Sequence, residues 1–152
     1  MIKDDPNNKK IIINEQLPHN FLAEKMVLSC LLISSDAIEM TIRALPVEAF
    51  YFKNHQELYQ AIISLYKDTI AIDTITLITY LQDNGLLTKI GGIKVLIELI
   101  NQIPNLANLE DYLSLVKEKF IRRSIIKLGY QAINSSYITN IPLESLLSDL
   151  EN

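Results

Sequence analysis

The sequence predicts an all-α protein, a compact orthogonal helical bundle followed by a C-terminal helical hairpin. Apolar residues recur at spacings of three and four along most of the chain, as they do on one face of an α-helix. The chain holds only 4 Gly and 5 Pro among 152 residues, which leaves little room for the turns of a β fold. Asn20, Asp73 and Asn108, which favour helix N-termini, stand directly before helical runs.

The first helix is predicted to begin after Asn20 and to continue to Ile33. It is apolar on almost every face, so we expect it at the centre of the fold. Residues 1–17, which precede it, show no apolar periodicity and are predicted to form a flexible tail. Ser35 or Asp36 is expected to cap the second helix, because both residue types are common N-caps.

A third helix is predicted from about Asn54, and a fourth over residues 74–81. The fourth segment is rich in β-branched residues, which also suit a strand. Helix is favoured by Asp73, a good N-cap residue, and by Gly85, which stands where a helix commonly ends in the left-handed conformation.

The C-terminal third is predicted to be a pair of helices. A glycine pair at 91–92 precedes a fifth helix, which Pro104 ends. Asn108 is expected to cap a helical pattern that continues to about Tyr137, which is long for a globular protein. A turn at Pro142 then leads into a last amphipathic helix. These patterns divide the chain into the tail, a helical globular body and a helical hairpin. Their predicted bounds are 1–17, 18–105 and 106–152.

The hairpin is the predicted self-association surface. Its long helix carries more than one apolar stripe, and a single short partner helix cannot cover several faces. We expect a second copy of the chain to cover them; folding of the body over these faces is the alternative. The predicted self-association residues are Leu109, Leu113, Val116, Phe120, Ile125, Leu128, Ile133, Leu143, Leu146, Leu147 and Leu150.

Charge and hydropathy restrict the class of protein. The net charge of −4 argues against non-specific nucleic-acid binding, which needs Lys and Arg for phosphate contacts. A local basic cluster is interpreted mainly as a solvated helix face beside Glu118. It comprises Lys117, Lys119, Arg122, Arg123 and Lys127. The sequence shows no membrane span and no signal-peptide pattern, and Cys30 is expected to be a buried, inert thiol.

The motifs of common enzymes are missing from the sequence. It contains no G-x-x-x-x-G-K-[ST] phosphate loop, no G-x-G-x-x-G, no H-E-x-x-H and no G-x-S-x-G. One Cys and two His cannot build a usual zinc site. His19 and His55 are the candidate bases, and Glu24 is a candidate partner of His55, but a structural polar pair is expected. We therefore predict no catalytic, cofactor-binding or metal-binding residue in this chain.

The short motifs of this chain, taken in order, resemble the N-terminal domain of the DnaB-type replicative DNA helicases, bacterial or plastid-encoded. The matching residues are Pro18-His19-Asn20, Ala23-Glu24, Leu28, Leu31-Leu32, Phe50-Tyr51, His55, Tyr59, Ala61-Ile62, Ile72-Asp73, Thr76-Leu77, Leu81, Gly85, Gly91-Gly92, Leu96, Leu99, Pro104, Ala107-Asn108, Tyr112, Val116, Glu118 and Arg122-Arg123. Ser29 stands where this family usually has Gly, Val95 where an aromatic residue is common, and Leu113 where Ala is common.

The resemblance implies a non-catalytic collar domain, truncated before an ATPase domain that would bind ATP and Mg²⁺ beyond Asn152. It implies a homo-oligomer, with dimer pairs within a hexamer that moves along single-stranded DNA through its motor domain. Primase and a helicase loader are implied as partners during DNA replication. The implied location is the bacterial cytoplasm or the plastid stroma, with no membrane contact. A stand-alone helical adaptor or regulator that binds helicase or primase is the alternative.

Overall fold

The computed structural model describes residues 16–68 and 72–151, so nearly all of the predicted tail lies outside the described residues. Within them the chain forms seven α-helices and two short 3-10 turns and contains no strand. The all-α prediction is confirmed. The helices are α1 (Phe21–Ile33), α2 (Ser35–Ala44), α3 (Lys53–Lys67), α4 (Thr74–Asp83), α5 (Ile93–Asn101), α6 (Leu109–Tyr137) and α7 (Leu143–Glu151).

Local signals place most helix ends where the sequence predicts them. The side chain of Asn20 accepts a hydrogen bond from the Ala23 amide at 3.0 Å. Asp73 accepts one from the Thr76 amide at 2.7 Å, and hydrogen bonding to Thr76 lowers the pKa of its carboxyl. Gly85 follows α4 with φ +66°, which is the left-handed conformation expected after a helix.

One predicted cap is wrong, and another stands at the predicted residue but lacks its side-chain bond. Ser34, and not Ser35 or Asp36, caps α2 through a bond from the Ala37 amide, because Ser34 has the extended backbone that an N-cap requires. The side chain of Asn108 makes no cap bond, since a 3-10 turn at Leu106–Asn108 leads directly into α6. α3 also begins at Lys53, one residue before the predicted start.

Helix α1 lies at the centre, as predicted, and contacts α2, α3, α5 and α6. Its Val27, Leu28 and Cys30 are fully buried, and burial raises the pKa of the Cys30 thiol. Tyr59 of α3 is also buried, and its hydroxyl donates to the Leu45 carbonyl at 2.8 Å. The core is thus a shell of short helices around one almost wholly apolar helix.

The long helix α6 joins two parts of the molecule. Its N-terminal half packs on α1, where Leu109, Leu113 and Val116 are buried. These three residues were predicted to form the self-association surface, and that assignment is wrong because the chain's own body already covers them. The predicted boundary after residue 105 therefore cuts through the packed core. We call the described residues up to 120 the body and residues 121–151 the hairpin.

The hairpin itself is held together by contacts between α6 and α7. A gap of about 310 Å³ lies between the two helices, bordered by Leu128 and Ala132 of α6 and by Leu146 and Leu150 of α7. No residue of α7 is fully buried. The hairpin is therefore a two-helix layer without a closed core of its own.

Two glycines provide a matched stability test. Gly91 has φ +103°, and a Cβ there would lie 2.6 Å from Cγ2 of Val95. Gly129 lies inside α6, where a Cβ would meet nothing within 4 Å. We expect Gly91→Ala to lower the free energy of unfolding by about 1–3 kcal/mol through backbone strain. Gly129→Ala should raise it by about 0.5–1 kcal/mol, because Ala favours the helix.

Urea unfolding followed by circular dichroism measures both changes at one low protein concentration. A shift of the same sign in the two variants would contradict this account of the two glycines.

Candidate functional site

The hairpin exposes many large apolar side chains to solvent. Ile125 is 62% exposed, Leu143 is 69% exposed and Tyr137 is 82% exposed. The predicted residues that remain exposed are Ile125, Leu128, Ile133, Leu143, Leu147 and Leu150. Phe120 and Leu146 are partly buried. Large apolar side chains grouped in this way are typical of an interaction surface.

The predicted set of self-association residues does not cover the whole exposed surface of the hairpin. Ile121, Tyr137 and Ile138 are exposed in the hairpin but are absent from the predicted set. Ile121 is four residues from Ile125 and therefore lies on the same side of the helix, as the apolar spacing of the sequence indicates. We call the exposed apolar residues 121–150 the hairpin face.

Arg123 connects the hairpin to the body. Its Nη1 donates to the Pro18 carbonyl at 2.8 Å, and its Nη2 donates to the Ala49 carbonyl at 2.7 Å. The guanidinium also lies over the rings of Tyr51 and Phe120, at 5.4 and 5.9 Å from their centroids. Burial lowers the pKa of Arg123, and the charge of the nearby Glu24 carboxylate opposes that shift. Arg123 is therefore a structural cation.

The predicted basic cluster is thus divided. Arg122, the neighbour of Arg123, is exposed and pairs with Glu118 at 2.8 Å on the same helix. Lys119 lies 3.8 Å from the same carboxylate. The interpretation as a solvated helix face holds for Arg122, whereas Arg123 points into the fold.

Glu24 and His55 form a buried pair, in agreement with the expected structural role. Oε1 of Glu24 lies 2.9 Å from Nδ1 of His55, and both side chains are almost completely buried. Oε2 of Glu24 accepts the Tyr51 amide at 3.0 Å, and Oε1 also accepts the Phe52 amide at 3.5 Å. Because both oxygens are occupied inside the fold, this carboxylate has no access to a substrate.

His19 completes the same junction. Its ring stacks on Tyr51 with centroids 4.5 Å apart, and its Nδ1 lies 2.7 Å from the Leu17 carbonyl. The imidazole is therefore engaged by residues of the fold on its face and at one nitrogen. The sequence motifs around positions 18–20, 50–51 and 123 thus meet at one place, where the body joins the hairpin.

Ser29, which departs from the family's usual Gly, has a clear structural partner. It is fully buried in α1, and its hydroxyl donates to Oε1 of Gln102 at 3.1 Å. The bond ties α1 to the segment that follows α5. Among the described residues there is no group of three His, Cys, Asp or Glu side chains that would hold a metal ion. No helix in the described part of the chain is long and apolar enough to cross a membrane.

The fold and these surfaces define an all-helical domain with a compact body and a two-helix hairpin that exposes many apolar side chains. The chain belongs to the family of the DnaB-like helicase N terminal domain, whose profile matches residues 16–118. The resemblance found in the sequence is confirmed.

Relatives of known name support this assignment. The chain is 62% identical over 142 residues to a probable replicative DNA helicase of Trieres chinensis, covering 93% of this chain and 31% of that protein. It is 33% identical over 138 residues to the replicative DNA helicase DnaB of a Nostoc strain, covering 91% of this chain and 16% of that protein. The chain therefore spans less than a third of the length of these relatives.

Solved structures show the same fold. The N-terminal domain of DnaB helicase from Mycobacterium tuberculosis aligns with a TM-score of 0.82 at 32% identity, over 90% of this chain and 100% of that one. The N-terminal domain of DnaB helicase from Helicobacter pylori aligns with a TM-score of 0.63 at 20% identity, over 76% of this chain and 89% of that one. The second likeness concerns the fold alone.

The buried pair yields a stability prediction. Glu24→Ala removes the acceptor for the Tyr51 amide and for His55, so we expect the free energy of unfolding to fall by about 2–5 kcal/mol. Glu39→Ala is the matched control, because Glu39 pairs with Arg43 on the exposed surface of α2 and such pairs contribute about 0.2–1 kcal/mol.

Chemical denaturation of the wild type and both variants measures the difference. Equal losses in the two variants would show that the Glu24 pair has no special structural role.

Proposed function

We propose that the chain is the non-catalytic N-terminal collar domain of a hexameric, ATP-dependent replicative DNA helicase. Its role is to assemble the ring and to dock primase or other replication partners during DNA replication. The observation that carries the proposal is the exposed hairpin face, on a chain that belongs to a helicase domain family.

A second copy of the chain is the occupant that we propose for the hairpin face. A two-fold pair brings the same surface of each copy together, so an apolar face meets an equally apolar face. Covering an apolar area on the order of 600 Å² contributes roughly 15 kcal/mol before the costs of association and ordering. Such pairs would then be repeated around the hexamer.

The remaining activities of the helicase belong to other parts of the parent protein. ATP and Mg²⁺ would be bound by its motor domain, which would also hold single-stranded DNA. The net charge of −4 in this chain agrees with a collar that is not the main DNA grip. A helicase loader is a further proposed partner. The proposed location is the bacterial cytoplasm or the plastid stroma, where replicative helicases act.

Primase docking is proposed by analogy. The Helicobacter pylori domain that shares this fold interacts with primase. A helical collar that presents its outer surface to solvent has room for such a partner after its hairpins have paired.

Pairing through the hairpin is tested with two Ile→Glu variants. Ile125→Glu places a charge in the hairpin face, where the side chain is 62% exposed. Ile75→Glu makes the same chemical change on α4, where the side chain is 78% exposed and lies outside the hairpin. Burying an unpaired carboxylate is costly, so we expect Ile125→Glu to weaken self-association at least tenfold, about 1.4 kcal/mol. Ile75→Glu should leave it unchanged.

Sedimentation equilibrium over a concentration series measures the association constant, with circular dichroism as the check on folding. A wild-type chain that remains monomeric while fully helical would refute hairpin pairing. Equal weakening by the two variants would place the contact elsewhere.

Primase docking has a separate test. Titration of the wild-type chain with primase from the same organism, followed by calorimetry, should show saturable binding at one stoichiometry. Absence of heat over a wide temperature range, with both proteins folded, would remove docking from the proposed function and would leave pairing unaffected.

A further inference from the structure

Helix α6 changes its surroundings at Arg123. Upstream of this residue, Leu113 and Val116 are buried against the body. Downstream of it, Ile125 and Leu128 are exposed. Beyond Arg123, the side-chain hydrogen bonds of α6 that the described residues show are bonds to α6 itself, such as Ser136 to the Ala132 carbonyl. Arg123 is thus the last α6 residue among them that is hydrogen-bonded to the body.

Packing does not hold the next part of α6 against the body. A groove of about 700 Å³ opens there, with Leu17 and Phe50 on the body side and Ile126 and Tyr130 on the helix side. Side chains that are separated by a gap lose most of their dispersion attraction, so they cannot hold a helix in one direction. The direction of the hairpin therefore depends on the packing of α6 upstream of the groove and on the contact at which the groove begins.

The two bonds of Arg123 are suited to this task. They reach carbonyls in two separate segments of the body, Pro18 before α1 and Ala49 before α3. A guanidinium is planar and rigid, so two bonds in different directions fix the orientation of the group, and its ring contacts with Tyr51 and Phe120 add to that. An ammonium group is a point charge and lacks this rigid fork.

We propose that Arg123, by bridging the Pro18 and Ala49 carbonyls, fixes the direction in which the hairpin projects from the body. Arg123 is a positioning residue, and the direction of the hairpin is a property of the single chain, whether or not two chains pair. Where pairing occurs, this bridge sets the angle between the two bodies.

The test is an intramolecular distance. Spin labels are placed at Ile75→Cys on α4 and at Tyr137→Cys at the end of α6. Pulsed electron paramagnetic resonance then measures the distance between them, which reports the position of the helix relative to the body. Native Cys30 is fully buried and stays unlabelled. The labelled chain is mixed with excess unlabelled chain, so that distances between labels on two different copies do not contribute. The tip at residue 137 lies about 21 Å beyond Arg123, at 1.5 Å per residue, so a tilt of about 20° moves it by roughly 7 Å.

We expect one narrow distance distribution for the otherwise wild-type chain and for Arg122→Ala, the matched control, since the partner of Arg122 among the described residues is Glu118 on the same helix. Arg123→Ala should broaden the distribution or shift it by about 5 Å or more. Arg123→Lys keeps the charge but not the fork, and it should behave like Arg123→Ala.

Three results would overturn the inference. The first is a wild-type distribution in Arg123→Ala with its helix content intact. The second is a lower melting temperature without any change in distance, which would make Arg123 a stabilising residue only. The third is a wild-type distribution in Arg123→Lys, which would show that the bridge between two carbonyls is unnecessary. If Arg123→Ala does not fold, the distance distribution of Arg123→Lys alone decides whether Arg123 positions the hairpin.

Discussion

The hydrogen bonds of the buried Glu24 carboxylate are the interactions on which the rest of the structure depends. It is buried in the central helix, where an unpartnered charge would cost several kcal/mol. It is accommodated because the chain turns back to offer the Tyr51 amide and the His55 ring. This requirement fixes the segment before α3, and with it the Ala49 carbonyl that Arg123 contacts. One buried acid in α1 is therefore connected, through the segment before α3, to Arg123 of α6.

This arrangement also gives a physical meaning to the motifs that carried the resemblance. Some of them are separated by dozens of residues, and they contain none of the enzyme motifs sought in the sequence. In the structure, Pro18, His19, Tyr51 and Arg123 meet where the body joins the hairpin. Part of the motif set therefore specifies the joint between the body and the hairpin.

The sequence was most informative where the cause is local. Asn20, Asp73 and Gly85 act within one helical turn, and the structure confirms each of them. Their effect depends on neighbours along the chain, so a single sequence contains it.

The sequence-based predictions were wrong where the surroundings of a residue depend on tertiary contacts. Apolar spacing in the long helix showed that Leu113 and Val116 must be covered, but not whether the cover is the same chain or another copy. The structure shows that the body covers them. Arg123 was assigned to a charged cluster because charge gives no sign of direction, and adjacent residues on a helix point about 100° apart. Because of this angle, Arg122 faces solvent whereas Arg123 faces the body.

Helix α7 has a consequence for the distribution of local stability. It is 9 residues long and has no buried residue, and a helix of this length is marginal in water without packing. Its amide protons should therefore exchange with solvent through small local openings, whereas those of the enclosed helix α1 exchange only when the whole domain unfolds. Protection of the amide protons from exchange should therefore decrease from α1 to α7. A partner that binds α7 should slow the exchange of this helix first.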